Sequence, residues 1–168
     1  VEKNLYLLSN YLNKKKINVQ ILSCNRDKNY HFDKGINFIG PKSKFLRNKG
    51  RKIKYIACLF ILFLNLLTKK EKTLVFAFQA NIYAIVVAKL LNTKIITRSN
   101  SAPSGWSKNY IKNIIYKVLI RSANDVVVNS LEFKKHFFLK FGINVKCIYN
   151  PFDKNFIRNK IKKKININ

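Results

Sequence analysis

The chain has 168 residues, 48% of them apolar, with 34 Lys and Arg against 7 Asp and Glu and a formal charge of +27. That is enough chain and apolar surface for one domain with a core, too little for two α/β domains, and too apolar for a disordered polymer. Such a charge ordinarily suggests nucleic acid or an anionic membrane; the abundance of Lys, Asn and Ile everywhere and the spread of the lysines along the chain weaken that inference, which leaves an anionic membrane surface as the partner to test and nucleic acid as not expected.

Glu2 to Lys15 places Leu5, Leu8 and Leu12 at helical spacing, with Tyr6 and Tyr11 widening the apolar face. Asn18 to Cys24 and Ile36 to Ile39 read as short strands, the second stopped by Gly40-Pro41, with the polar loop Arg26 to Lys34 between them. Tyr55 to Leu67 is apolar except for Asn65 and is bracketed by Lys52, Lys54, Lys69 and Lys70. As a helix it reaches about 20 Å against a bilayer core of about 30 Å, so no membrane crossing is expected. A helix buried against the sheet is the first reading; an interfacial helix whose lysines meet lipid phosphates is the second. Thr73 to Phe78 reads as a strand, Ala80 to Leu91 as a helix and Lys94 to Thr97 as a strand, and Pro103 and Gly105 make Ser101 to Gly105 a loop. Ser107 to Ser122 forms a helix with Tyr110, Ile111, Ile114, Ile115, Val118 and Leu119 on its apolar side. Val126 to Val128 suits a buried parallel strand, and Ser130 suits the cap of a helix over Leu131 to Lys140. A last strand begins near Asn144 and stops at Asn150-Pro151, where proline removes a ladder donor and holds Asn150 extended. This alternation predicts an α/β domain: a Rossmann-like open parallel sheet with helices on both faces.

In such sheets ligands bind at the carboxyl ends of the strands. Three loops there are polar: Gln79-Ala80-Asn81, Arg98-Ser99-Asn100 running on to Pro103, and Ser130 after Asn129. Amides and hydroxyls of this kind suit sugar recognition, and Trp106, the only tryptophan, stands beside the second loop as a surface for stacking. Each has a plainer reading. Gln79 and Asn81 suit helix capping, Arg98 a surface ion pair and Trp106 a core anchor; Ser130 reads as a cap, and His31 and His136 as solvated. Cys24, Cys58 and Cys147 are far apart in sequence and lack metal-ligand spacing, as expected for buried free thiols in a reducing cytoplasm. Glycine-rich phosphate loop, nucleophile elbow, zinc signature and paired carboxylates are all missing from the sequence.

Asp125-Val126-Val127-Val128-Asn129-Ser130, the helix to Lys140, and the strand ending Tyr149-Asn150-Pro151-Phe152-Asp153 together resemble the end of the N-terminal domain of family 4 glycosyltransferases of the two-domain GT-B type. Val1-Glu2-Lys3 looks like the tail of that family's Gly-Gly-x-Glu motif; Leu12 to Val19, Val75 to Asn81 and Ile95 to Pro103 resemble the passages that follow. Many members carry a His in the last of these loops, where this chain has Arg98, Ser99 and Asn100. The resemblance implies a retaining transferase that moves a sugar from a nucleotide-sugar donor to a glycan or lipid-linked acceptor in cell-surface polysaccharide synthesis, without a metal or other cofactor. It implies that residues 1–153 are the acceptor-side domain without its first strand, and that 154–168 begin the linker to an absent C-terminal domain holding the catalytic residues. Gln79, Asn81, Arg98, Ser99 and Asn100 would then face the acceptor, Glu2 would lie near the donor loop, and Asn150-Pro151 would be the hinge. The expected location is the cytoplasm, peripheral on the inner face of the cell membrane. The competing expectation is a non-enzymatic basic α/β module that binds anionic membrane or nucleic acid.

Overall fold

Short parallel strands alternate with helices along the chain, as the apolar periodicity implies. The computed structural model describes residues 2–24, 31–69 and 72–151. In order these form α1 (Glu2–Lys14), β1 (Gln20–Leu22), β2 (Asn37–Ile39), α2 (Lys44–Asn48), α3 (Arg51–Thr68), β3 (Leu74–Ala77), α4 (Asn81–Leu90) and β4 (Lys94–Ser99). A 3-10 turn (Pro103–Gly105), α5 (Tyr110–Ser122), β5 (Asp125–Val128), α6 (Leu131–Phe141) and β6 (Lys146–Cys147) follow. Val1, most of the loop after Cys24, Lys70, Phe152, Asp153 and the linker expected over 154–168 lie outside the described residues. All pairing is parallel, in two ladders: β1 with β2, and β3-β4-β5-β6 in sequence order. This is the expected Rossmann-like α/β architecture.

Local chemistry sets the element ends. Glu2 in the first turn of α1 and Lys14 in the last both complement the helix dipole. Ser130 caps α6, its hydroxyl accepting from Phe133 N–H at 3.1 Å, and Gly142 closes it in the left-handed region at φ +62°, donating to Phe138 O at 2.8 Å. Asn124 acts as an extra strand residue: its side-chain carbonyl accepts from Ile95 N–H at 2.9 Å while its own N–H donates to Ile95 O at 3.0 Å. Gly40 lies so close to the chain after β1 that a Cβ there would fall 2.2 Å from Ser23 O.

The core sits between the four-stranded ladder and its helices. Ile85 and Ala88 of α4 pack with Ala77 and Ile95 of the sheet, joined by Leu59 and Leu62 of α3 and Leu119 of α5. Phe137 and Phe141 of α6 fill the second cluster with Ile120, Val128 and Val145. Two expectations change here. The sequence favours burial of α3 against the sheet, but Leu66 is its only buried side chain among those described, and its outer face is open. On α5 the side expected to face the core is largely turned outward: Leu119 packs inward with Tyr116 and Ile120, while Ile111, Ile114, Ile115 and Val118 are exposed. The reason is that both helices are apolar on more than one face, and neighbouring helices decide which face is covered. Among the described residues, no helix is long and apolar enough to cross a membrane.

Candidate functional site

At the carboxyl ends of β3 to β6 a chain of hydrogen bonds joins four elements. Asn81, the first residue of α4, donates from Nδ2 to the main-chain carbonyl of Arg98 at 2.9 Å. Arg98, near the end of β4, is only 6% exposed. Its Nη2 donates to Ile148 O at 3.1 Å and to Asn150 Oδ1 at 2.9 Å. Asn4 of α1 donates to the same Asn150 oxygen at 2.8 Å. Asn81, Arg98 and Asn150 are therefore brought together as one unit, with Asn4 a member that the sequence did not reveal. No local pattern links residue 4 to residue 150; a helix asparagine in a first turn is commonplace.

Burial pulls the Arg98 guanidinium below its ordinary pKa, with the Cys147 thiol acting in the opposite direction. Among the described residues no carboxylate pairs with it, and its hydrogen-bond acceptors are the carbonyl oxygens of Ile148 and the Asn150 side chain. Its Nε is fully buried without a partner, as are Asn81 Oδ1 and, just beyond β5, Asn129 Oδ1. Unmet buried groups of this kind cost about 1–3 kcal/mol each, which a water or a ligand hydroxyl placed there relieves.

The other expected site residues stand apart from this chain. Gln79 is exposed and accepts from Tyr55 Oη of α3 at 3.4 Å. Neither Gln79 nor Asn81 is the cap of α4; that position is Ala80, held left-handed at φ +52°. Ser99 is buried and donates to Ser101 O at 3.0 Å, turning into its own loop, and half-buried Asn100 follows it. Trp106 takes the anchoring role: its indole donates to Ser101 Oγ at 3.2 Å, and its ring meets Phe137 and Tyr116 edge-on at 5.6 and 6.1 Å. Lys140 Nζ ties the same loop down through Pro103 O at 2.7 Å and Ser107 O at 3.2 Å. Glu2 is exposed at the start of α1, and Pro151 closes the described chain. His136 departs from the solvated reading: it is half-buried, with Nδ1 enclosed and unpartnered.

Away from this end, Cys24 and Cys58, distant in sequence, come together with sulfurs 3.2 Å apart, and Cys24 also lies 3.3 Å from Lys54 O. Burial, reinforced by the contact with Cys24, pushes the Cys58 thiol up to about 12.

Neither family models nor curated proteins match this sequence. Among solved structures, the crystal structure of Anabaena Alr3699/HepE in complex with UDP is similar, at a TM-score of 0.56 and 14% identity. The likeness covers 98% of this chain but 46% of HepE, so the chain spans less than half the length of that protein. At this identity the match establishes the fold, a parallel α/β arrangement shared along nearly the whole chain.

Proposed function

We propose that residues 1–153 form the acceptor-side half of a retaining glycosyltransferase of the two-domain GT-B kind. It would move a sugar from a nucleotide-sugar donor to a glycan or lipid-linked acceptor in cell-surface polysaccharide synthesis. The observation that carries the reading is the likeness of fold, over 98% of the chain, to HepE, a protein crystallised with UDP. The polar unit at the strand ends supports it: open α/β sheets bind ligands there, and the Asn81, Arg98 and Asn150 side chains meet at that end.

In this reading the described residues position rather than react. Asn81, at the start of α4, and Asn129, just beyond β5, border the acceptor and help to orient the attacking hydroxyl. Arg98 acts through Asn150, fixing the exit of β6 against α1 so that the acceptor wall and the hinge at Asn150-Pro151 keep one geometry. Stabilising the leaving diphosphate, the larger electrostatic demand, falls to a second domain beyond the hinge. The test is steady-state kinetics on the gene product carrying these residues. Asn81→Ala and Asn129→Ala should each raise the acceptor KM about tenfold, the scale of one hydrogen bond, and leave the donor KM unchanged. Equal effects on donor and acceptor would contradict an acceptor-side role. Residues 1–168 alone should turn over no sugar nucleotide.

A further inference from the structure

Cys24, on the chain just after β1, and Cys58, on α3, are 34 residues apart in sequence, yet their sulfurs are 3.2 Å apart. Nothing in their spacing pairs them; the fold does. The carbonyl of Lys54, one turn before Cys58 on α3, accepts from Cys24 Sγ at 3.3 Å. With the Cys24 proton taken by that oxygen, Cys58 is left to donate to Cys24, so the two thiols are aimed at each other. Both are half-buried, within reach of a small reagent. Cys147, on β6 at an edge of the four-stranded ladder, takes no part in the pair.

The pair bridges two parts of the domain that share little else. The β1-β2 ladder is not hydrogen-bonded to the four-stranded ladder, and neither buried cluster includes a residue of α1, β1 or β2. Asn4 with Asn150 and Cys24 with α3 are polar links across, and the first joins exposed side chains. A covalent bond from Cys24 to Cys58 would therefore change what holds β1 and α1 to the rest.

We propose that Cys24 and Cys58 form a reversible thiol–disulfide site, closed by low-molecular-weight disulfides of the glutathione class, that staples α1 and the β1-β2 ladder to α3. Closure brings the sulfurs from 3.2 Å to about 2.05 Å, a movement on the scale of a small side-chain rotation. First the Cys24 thiolate attacks one sulfur of the small disulfide; that S–S bond breaks, and one small thiolate leaves with the electron pair and takes up a proton. Cys58 then gives up its proton and attacks the Cys24 sulfur, expelling the second small thiol. Two protein thiols are oxidised, and one small disulfide is reduced to two thiols. Cys58 suits the second step: it holds its proton up to about 12, which makes it a poor first attacker, but its sulfur already touches its target. The same protonation leaves the dithiol without a stabilised thiolate, the feature that makes other pairs strong oxidants, so the closed bond is a durable one. The site needs neither sugar nor nucleotide and stands apart from the transfer reading.

The test uses the whole gene product that carries residues 1–168, incubated with reduced or oxidised glutathione, quenched in acid, alkylated and digested with trypsin. Mass spectrometry then looks for residues 17–26 joined to residues 55–69. Oxidised glutathione should link these peptides in more than about half of the molecules, and dithiothreitol should release them. Cys24→Ser and Cys58→Ser should each abolish the link, while Cys147→Ser should link like the unaltered protein. Closure should also slow amide exchange across residues 2–22 by about threefold or more, with no such change in Cys24→Ser or Cys58→Ser under the same oxidant. Circular dichroism checks the fold of each variant, and the unaltered protein decides the matter even where a variant folds poorly. Absence of the link in oxidised glutathione, pairing of either cysteine with Cys147 in its place, or a link that leaves exchange across residues 2–22 unaltered would overturn the proposal.

Discussion

Replacing Arg98 with methionine tests whether one buried guanidinium holds the exit of β6 in place. The substitution keeps much of the side chain's length and apolar stem but removes both bonds from Nη2, to Ile148 O at 3.1 Å and Asn150 Oδ1 at 2.9 Å. Hydrogen bonds to a charged group contribute about 1.5–3 kcal/mol each, a gross loss of about 3–6 kcal/mol. Two effects offset it. Methionine escapes the cost of burying a cation, the cost that depresses the pKa of Arg98, and Asn150 is exposed and keeps its bond from Asn4. A net destabilisation of about 1–3 kcal/mol follows, measured by urea unfolding at neutral pH. Arg98→Lys should recover none of it, because an ammonium keeps the burial cost while giving up the planar fork. If the methionine variant is as stable as the original, or lysine restores full stability, the guanidinium does not clamp this end of the sheet.

Three further outcomes are expected. Cys58 holds its proton in the folded chain up to about 12, whereas the unfolded thiol ionises near 9.0, so its contribution is complete below pH 9 and is lost as pH rises toward 12. The stability difference between the unaltered chain and Cys58→Ala should therefore shrink across that window in urea titrations; a constant difference would count against a protected thiol. Gly40→Ala should cost more than Gly142→Ala: a methyl at Gly40 meets Ser23 O at 2.2 Å, whereas at Gly142 it has room and the penalty is the left-handed backbone alone, about 1 kcal/mol. Thermal unfolding ranks the pair, and the reverse order would refute the close approach. Asn124→Ala removes the acceptor for Ile95 N–H and should lower stability by about 1–3 kcal/mol, with faster amide exchange at Ile95 as its signature.

What could be read in the chain depended on how local the signal was. Thr73 to Phe78, Ala80 to Leu91 and the run from Val126 to Lys140 carry their own punctuation, and the observed elements match them closely. The α2 helix of five residues is too short to show a period in the sequence. On α5 the sequence revealed a helix but not its inner face, because Tyr116, Leu119 and Ile120 turn inward to meet α4 and α6, contacts made far along the chain. The candidate site was legible in part. Arg98 was recognisable as a lone cation at a strand end, but its burial and its grip on Asn150 depend on residues some fifty positions away. Cys24 and Cys58 look unrelated until the chain just after β1 meets α3.

The central claim is transfer from a nucleotide-sugar, and the most direct measurement is UDP release by the gene product that carries residues 1–168, given a panel of UDP-sugars with and without a membrane glycolipid extract. The fold shared with HepE, a protein crystallised with UDP, makes the uridine donors the first to try. The account predicts UDP release from at least one donor, stimulated by the extract and reduced by Asn81→Ala at limiting acceptor. A folded protein that releases nucleotide from no sugar donor and transfers no label to the extract would contradict it.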